Sequence, residues 1–410
     1  MKSAMNVSIG ARSKVLVLAS TFPRWSNDSE PRFVLDLCKA LMEKADVVVL
    51  APHCRGAKFN EYIEGVEVSR FRYAPSRLEN LAYNGGMLSN IRGNHLNALL
   101  LPFFFLGMVF ASIKLLRRYD FSVIHAHWLI PQGFIAAVAR IISRTEIPLV
   151  ITCHGADLYT LEKRPWSWLK RWALKSCDGV TVVSSAMKDQ VNNVYHMPDR
   201  LIKILPMGVD LTQIFVPDTN KFQRRKGLLF VGRLVEKKGV QYLIEAMDRL
   251  IRRNITAPLT IVGDGPARET LEAQARFLGV SAYISFVGAV EQSELPSFYQ
   301  RHSAAVFPFV VAENGDQEGL GLVVIEAQGC GCPVIASDLP ALHDSFLPEL
   351  HTWLVPPGNS DILADKIELL LSLDTLETQQ LAIKARNHAL SRFDRNLVKK
   401  EYLKILRIPA

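Results

Sequence analysis

The 410-residue sequence contains no Cys-x-x-Cys, no Cys/His pairing at metal-ligand spacing and no Asp-x-Asp triplet. Its six cysteines (Cys38, Cys54, Cys153, Cys177, Cys330, Cys332) are scattered, so neither a disulfide framework nor a structural zinc site is expected. No stretch is dominated by Ser, Gln, Pro or Gly repeats, which argues against long disorder. The first apolar run, residues 15–20, is too short for a secretory core and lacks a basic flank followed by a cleavage site. The expectation is a cytoplasmic chain with reduced thiols.

What is present is an ordinary globular composition, 49% hydrophobic and 21% charged, long enough for more than one core. Formal net charge is +8, and it is unevenly spread. Residues 1–210 hold 26 Lys/Arg against 17 Asp/Glu, and residues 211–410 hold 22 against 23. A basic first half implies an anionic partner surface, a phospholipid leaflet being one, or else serves solubility alone. Nucleic acid is disfavoured, because the cations are dispersed and no recognition motif is present.

Short apolar, β-branched runs alternate with helical patterns throughout. In the first half they fall at 14–20, 46–51, 122–125, 148–153, 179–184 and 201–205. In the second they fall at 227–231, 259–262, 284–287, 304–308, 333–336 and 353–355. Such alternation predicts parallel sheets wound by helices on both faces. The polar stretch 217–226 (PDTNKFQRRK) reads as a linker. The expected architecture is therefore α/β, two Rossmann-like doubly wound domains facing across a cleft: residues 1–215, then 216–390. A final helix, from about residue 385, is expected to return over 390–410 to the first domain.

The most informative stretch is 312–337 (AENGDQEGLGLVVIEAQGCGCPVIAS). A glycine-containing loop feeds a helix whose first amides can meet an anion, with Gly321 and Leu322 nearest the helix start. Glu318 and Glu326 flank that start; carboxylates beside a phosphate site suit a ligand that also carries hydroxyl groups. Upstream, 230–239 (FVGRLVEKKG) puts Arg233 and Lys238 at a strand end. Two cations fixed at a sheet edge can pair with an anionic group.

These segments resemble the retaining family 4 glycosyltransferases, in which two glutamates separated by seven residues occupy this loop-helix setting. The resemblance covers nearly the whole chain and is strongest over 230–337. It implies the GT-B fold, with Glu318 approaching donor-sugar hydroxyls at the reacting end and Glu326 holding the nucleotide ribose. It also implies Arg233 and Lys238 on the diphosphate and the main chain at Val287, within Phe286-Val287-Gly288, meeting the base.

The first half supplies acceptor-side candidates. His154-Gly155-Ala156-Asp157 follows a strand end, and the resemblance puts a histidine and glycine there, close to the donor sugar. His154 is expected to hydrogen-bond at the anomeric centre, while Asp157 orients it or meets the acceptor. His125 and His127, two apart on a strand, project to one side; His127 is an acceptor-lining or packing residue. The first strand-helix loop, 21–31, has none of the glycines many family members carry, so Arg24 or the helix start near Arg32 is the substitute.

Residues 93–113 contain no Lys, Arg, Asp or Glu. Pro102 and Gly107 are expected to break this run, so it is not expected to span a bilayer. Either it is a buried helix over the first sheet, or it lies amphipathically in an anionic membrane surface.

The sequence thus predicts a retaining transferase taking sugar from a UDP- or GDP-sugar to a saccharide or lipid-linked acceptor, with no cofactor and no metal. It would act in bacterial surface polysaccharide or glycolipid synthesis. The alternatives are a sugar-nucleotide epimerase or hydrolase on the same fold, or a non-catalytic sugar-nucleotide-binding protein.

Overall fold

The computed structural model describes residues 12–409 apart from 27, 29, 84 and 219–223. Part of the expected linker, 219–223, thus lies outside the described residues. Among the described residues, fourteen strands form two sheets. The first holds β1 (Ser13–Leu18), β2 (Ala45–Pro52), β3 (Asn60–Ile63), β4 (Val66–Phe71), β5 (Val123–His127), β6 (Leu149–Cys153), β7 (Gly179–Val182) and β8 (Ile202–Ile204). The second holds β9 (Leu228–Val231), β10 (Leu259–Val262), β11 (Ile284–Gly288), β12 (Ala304–Phe307), β13 (Val334–Ser337) and β14 (Leu354–Val355).

The first sheet has the order β3-β4-β2-β1-β5-β6-β7-β8, and the second β11-β10-β9-β12-β13-β14. Pairs β2–β1, β1–β5 and β5–β6 are parallel, as are all the pairs of the second sheet. The strands are near-continuous hydrophobic runs because helices cover both faces. Val15 to Leu18 and Leu228 to Phe230 are wholly buried. β3 and β4 pair antiparallel as a hairpin, which turns through Glu64 and Gly65 with φ of 49° and 89°. Both residues being left-handed matches the twist of a two-residue hairpin turn.

By contacts the chain forms two compact units: residues 1–152, 168–181 and 399–410, and residues 153–167 and 182–398. The carboxyl-terminal helix is not continuous. It is divided into Thr375–Phe393 and Arg395–Ile405, because Asp394 is extended and the main chain of Val209 bonds on both sides of it. Val209 N–H donates to Phe393 O at 2.9 Å and its carbonyl accepts from Arg395 N–H at 2.9 Å. Beyond the break, Tyr402 lies under the first sheet, its ring 5.6 Å from that of His125 and its hydroxyl bonded to Thr152 and Thr181. Burial pushes the Tyr402 hydroxyl up and the His125 imidazole down to about 3, so both are neutral.

Pro102 and Gly107 do not interrupt their helix. Pro102 occupies the first turn of Leu101–Arg118, where its missing N–H has no acceptor to lose. Gly107 is where the helix touches the main chain after β4, since a Cβ there would overlap the Arg72 carbonyl. One face of this helix is buried, as the first reading expects, and the other is exposed.

Candidate active site

Two loops leave neighbouring strands at the carboxyl edge of the second sheet. One follows β9 and the other β12, and the strand order runs away from this pair in both directions. That is the topological switch point at which open α/β sheets bind ligands. The β9 loop contains Arg233, half-buried, then a turn over Glu236–Lys238, then Gly239 with φ 64°, which starts the helix Val240–Arg252. A Cβ at Gly239 would collide with the carbonyl oxygen of Pro308 at the beginning of the β12 loop. The two loops are laced together: Val310 N–H donates to Lys237 O at 2.9 Å, and Glu313 N–H to Glu236 Oε1 at 2.8 Å.

Their side chains meet as ion pairs. Lys238 Nζ is 2.6 Å from Glu318 Oε2 and lies 4.4 Å from the centroid of the Phe309 ring. Lys237 Nζ is 3.0 Å from Asp316 Oδ1 and also donates to Gln317 O at 3.4 Å. Burial alone would raise the Glu318 carboxyl. The charges of Lys238 and Lys237, with hydrogen bonds from Lys238 and the Gly321 main chain, outweigh it and hold the group at about 2. Glu318 is therefore an acceptor-only carboxylate at neutral pH.

Gly321, with φ 75°, starts the helix Leu322–Gly329, and a Cβ there would press on Leu342. First-turn amides of a helix have no intrahelical acceptor and sit at its positive end. The Gly321 amide is turned to Glu318, which adds a carboxylate partner to the anion role the sequence reading assigns it. Glu326 is buried further along this helix, and Tyr299 O–H donates to its Oε2 at 3.0 Å. Burial and the Glu326 charge both push the Tyr299 hydroxyl up, so it remains a donor. Val287 is 46% exposed on β11, the edge strand. Beside it, Gly288 O accepts from Gly263 N–H at 2.8 Å.

The segment after β6 belongs to the same compact unit. Asp157 Oδ1 accepts from the main-chain N–H of His154 at 2.9 Å and of Gly155 at 3.0 Å. The carboxylate thereby shapes the loop that carries the histidine. A Cβ on Gly155, whose φ is 123°, would stand 3.2 Å from Gly319 Cα, and a Cβ on Gly319 would overlap His154 O. His154, Asp157, Lys238, Glu318 and Gly321 are thus joined through contacts within one unit. His127 belongs to the other unit, wholly buried at the end of β5 with its ring 4.3 Å from that of His125. In that unit Arg24 donates to Asp28 through its main-chain N–H and through Nε and Nη2 of its guanidinium, and Arg32 pairs with Glu64 at 2.6 Å.

Sequence reasoning does not single out Lys237, Asp316, Tyr299 or Gly319. The Lys-Lys pair at 237–238 and the acidic cluster after Ala312 are visible as charges, but nothing in the sequence registers one against the other.

Two Rossmann-like sheets in tandem, with a laced site at the second sheet's switch point, define a GT-B type of chain. Sucrose-phosphate synthase from Thermosynechococcus elongatus superposes with a TM-score of 0.76 at 19% identity, covering 97% of this chain and 98% of that one. The Anabaena HepE structure with UDP and glucose gives 0.70 at 20% identity, covering 96% and 99%. Residues 213–388 match the glycosyl transferases group 1 family, and residues 31–213 match glycosyltransferase family 4. The GDP-mannose-dependent alpha-(1-6)-phosphatidylinositol monomannoside mannosyltransferase of Mycobacterium tuberculosis is 30% identical over 279 residues, which cover 64% of this chain and 70% of that protein. The chain belongs to the group 1 glycosyltransferases.

Proposed function

We propose that this glycosyltransferase moves a hexose from a UDP- or GDP-sugar to a hydroxyl of a saccharide or lipid-linked glycan, with retention at the anomeric carbon. The bond from the anomeric carbon to the diphosphate oxygen breaks, and the bond to the acceptor oxygen forms. The acceptor proton leaves with the departing phosphate. The observation that carries this reading is the Lys238–Glu318 pair, 2.6 Å apart at the switch point. A lysine that neutralises the carboxylate lets a phosphate and a sugar-binding acid stand side by side, and with Arg233 it meets charge developing on the leaving diphosphate. Glu318 accepts from the donor-sugar hydroxyls, His154 hydrogen-bonds at the anomeric centre, and Glu326, braced by Tyr299, takes the ribose. The Val287 main chain meets the base, with Asp157 on the acceptor side; His127, wholly buried, takes the packing role.

Fixed side-chain cations take the part of a metal, so turnover is expected to continue in EDTA. The name of the mycobacterial relative, a mannosyltransferase acting on a phosphatidylinositol monomannoside, supports a lipid-linked acceptor. A putative teichuronic acid biosynthesis glycosyltransferase of Bacillus subtilis, 28% identical over 271 residues, supports a surface-polysaccharide role. The corresponding location is the cytoplasm, at the inner face of the plasma membrane.

The test is thermal melting of the full chain against a panel of UDP- and GDP-sugars, followed by transfer assays with the stabilising donor. A bound donor raises Tm with the logarithm of its concentration, transfer requires an added acceptor, and NMR of the product shows the donor's anomeric configuration. Stabilisation by no nucleotide sugar, or turnover that ignores the acceptor, defeats the reading.

A further inference from the structure

The helical segment His95–Arg118 is long and apolar enough by composition to cross a membrane, yet it is fixed to the first sheet along one side. Phe104, Met108, Ile113 and Leu115 are buried, and the Phe104 ring sits edge-on to Phe71 and Tyr73 at 5.0 and 5.2 Å. The other side is a bare apolar stripe. Leu96, Leu99, Phe103, Leu106 and Phe110, at steps of three and four residues, are each more than half exposed. That spacing keeps Phe103, Leu106 and Phe110 on one face of the α-helix, and Leu96 and Leu99 stand one turn apart in the 3₁₀ turn that precedes it. Beside them runs a groove of about 520 Å³, lined by Tyr73, Pro75, Leu78, Leu100, Phe103 and Leu106.

The charge along this segment of the chain has one sign. From residue 80 to residue 119 there is no Asp or Glu, while Arg92, Lys114, Arg117 and Arg118 are present. All four are exposed, and Lys114 continues the stripe one turn beyond Phe110. Five apolar side chains with no hydrogen-bonding group among them, ending in cations, differ from a typical protein interface, which carries regular hydrogen bonds. They match the boundary between lipid headgroups and acyl chains.

We propose that this face is the docking surface for a bilayer containing anionic lipid. The leucines and phenylalanines enter the acyl boundary, and the cations at the helix end meet lipid phosphates. The helix does not span, because its inner face is already packed on the sheet. This proposal stands apart from the donor chemistry: it concerns a surface on the first unit and holds whatever sugar is transferred.

The test is co-sedimentation of the full chain with phosphatidylcholine vesicles, with and without phosphatidylglycerol. The parent chain should bind the anionic vesicles, lose binding as salt rises, and leave the neutral vesicles largely unbound. The exposed-face variant F103S/F110S should partition about tenfold more weakly, and the charge variant K114E/R117E should fall by about tenfold and lose its salt dependence. Both variants should keep the parent Tm and its rise with nucleotide sugar. Absence of vesicle binding by the parent chain, or binding by both variants at the parent level, overturns the proposal. So does a dimer in light scattering that F103S/F110S converts to monomer while vesicles bind neither protein, since a second copy would then be the occupant.

Discussion

Gly155 and Gly319 meet main chain against main chain. The position of a Cβ on the first is 3.2 Å from the Cα of the second, and the position of a Cβ on the second is filled by the carbonyl of His154. The loop bearing His154 and the loop bearing Glu318 are therefore held at a separation that admits hydrogen atoms alone.

Gly319→Ala is expected to push these loops apart while leaving the sheets intact. A misplacement on the order of 1 Å lowers kcat/KM about 100-fold, whereas Tm should fall by only a few degrees. Steady-state kinetics beside thermal melting separates the two effects. Full activity in this variant would show that the contact does not set the site.

The depressed Glu318 carboxyl makes a stability prediction with a definite sign. Its folded value of about 2 lies below the ordinary 4.5. The stabilisation is complete above pH 4.5 and drains away as pH falls from 4.5 towards 2. Melting temperatures across that window should drop more steeply for the parent chain than for Glu318→Gln. Transfer by Glu318→Gln at pH 7 should fall at least about 100-fold if the carboxylate acts on the donor sugar.

Lys237 holds the Glu318 loop through Asp316 and the Gln317 carbonyl, besides the effect of its charge on Glu318. Lys237→Met and Asp316→Asn should each raise the donor KM, and the double variant should be little worse than either one. A double-mutant cycle on donor binding should return a coupling of about 1 kcal/mol for this partly exposed pair. Strict additivity would mean that the pair does not position the loop.

Tyr299→Phe removes the hydroxyl that Glu326 accepts from. A buried carboxylate deprived of one donor destabilises the fold by about 1–3 kcal/mol. Calorimetry should detect that loss, and donor titration should show weaker nucleotide binding with kcat nearly unchanged.

Where strands are continuous apolar runs, their positions could be read from composition alone: 14–20 and 304–308 coincide with β1 and β12 within a few residues. The β3–β4 hairpin escapes such reading because residues such as Glu61, Glu67 and Arg70 interrupt its apolar positions. The helix boundary at Asp394 is equally hidden, since its cause is Val209, distant in sequence. In the site, Lys238 and Glu318 are each legible from their strand-end and helix-start settings. Their 2.6 Å pairing is not, because 80 residues separate them and the loops are brought into register by the close approach of Gly239 to Pro308 and the main-chain bond from Val310 to Lys237. Asp157 illustrates the same limit. Its proximity to His154 is plain, but its bonds to the loop's amides depend on how the chain turns at Gly155.

The attachment of Tyr402 to Thr152 and Thr181 bears on how this polypeptide could be recombined with others. A chimera joined near residue 215 would separate the threonines from the tyrosine that caps them, exposing polar groups beneath the sheet. Residues 399–410 group by contacts with 1–152 and 168–181, so a graft that keeps this packing must carry the distant tail along with the leading segments.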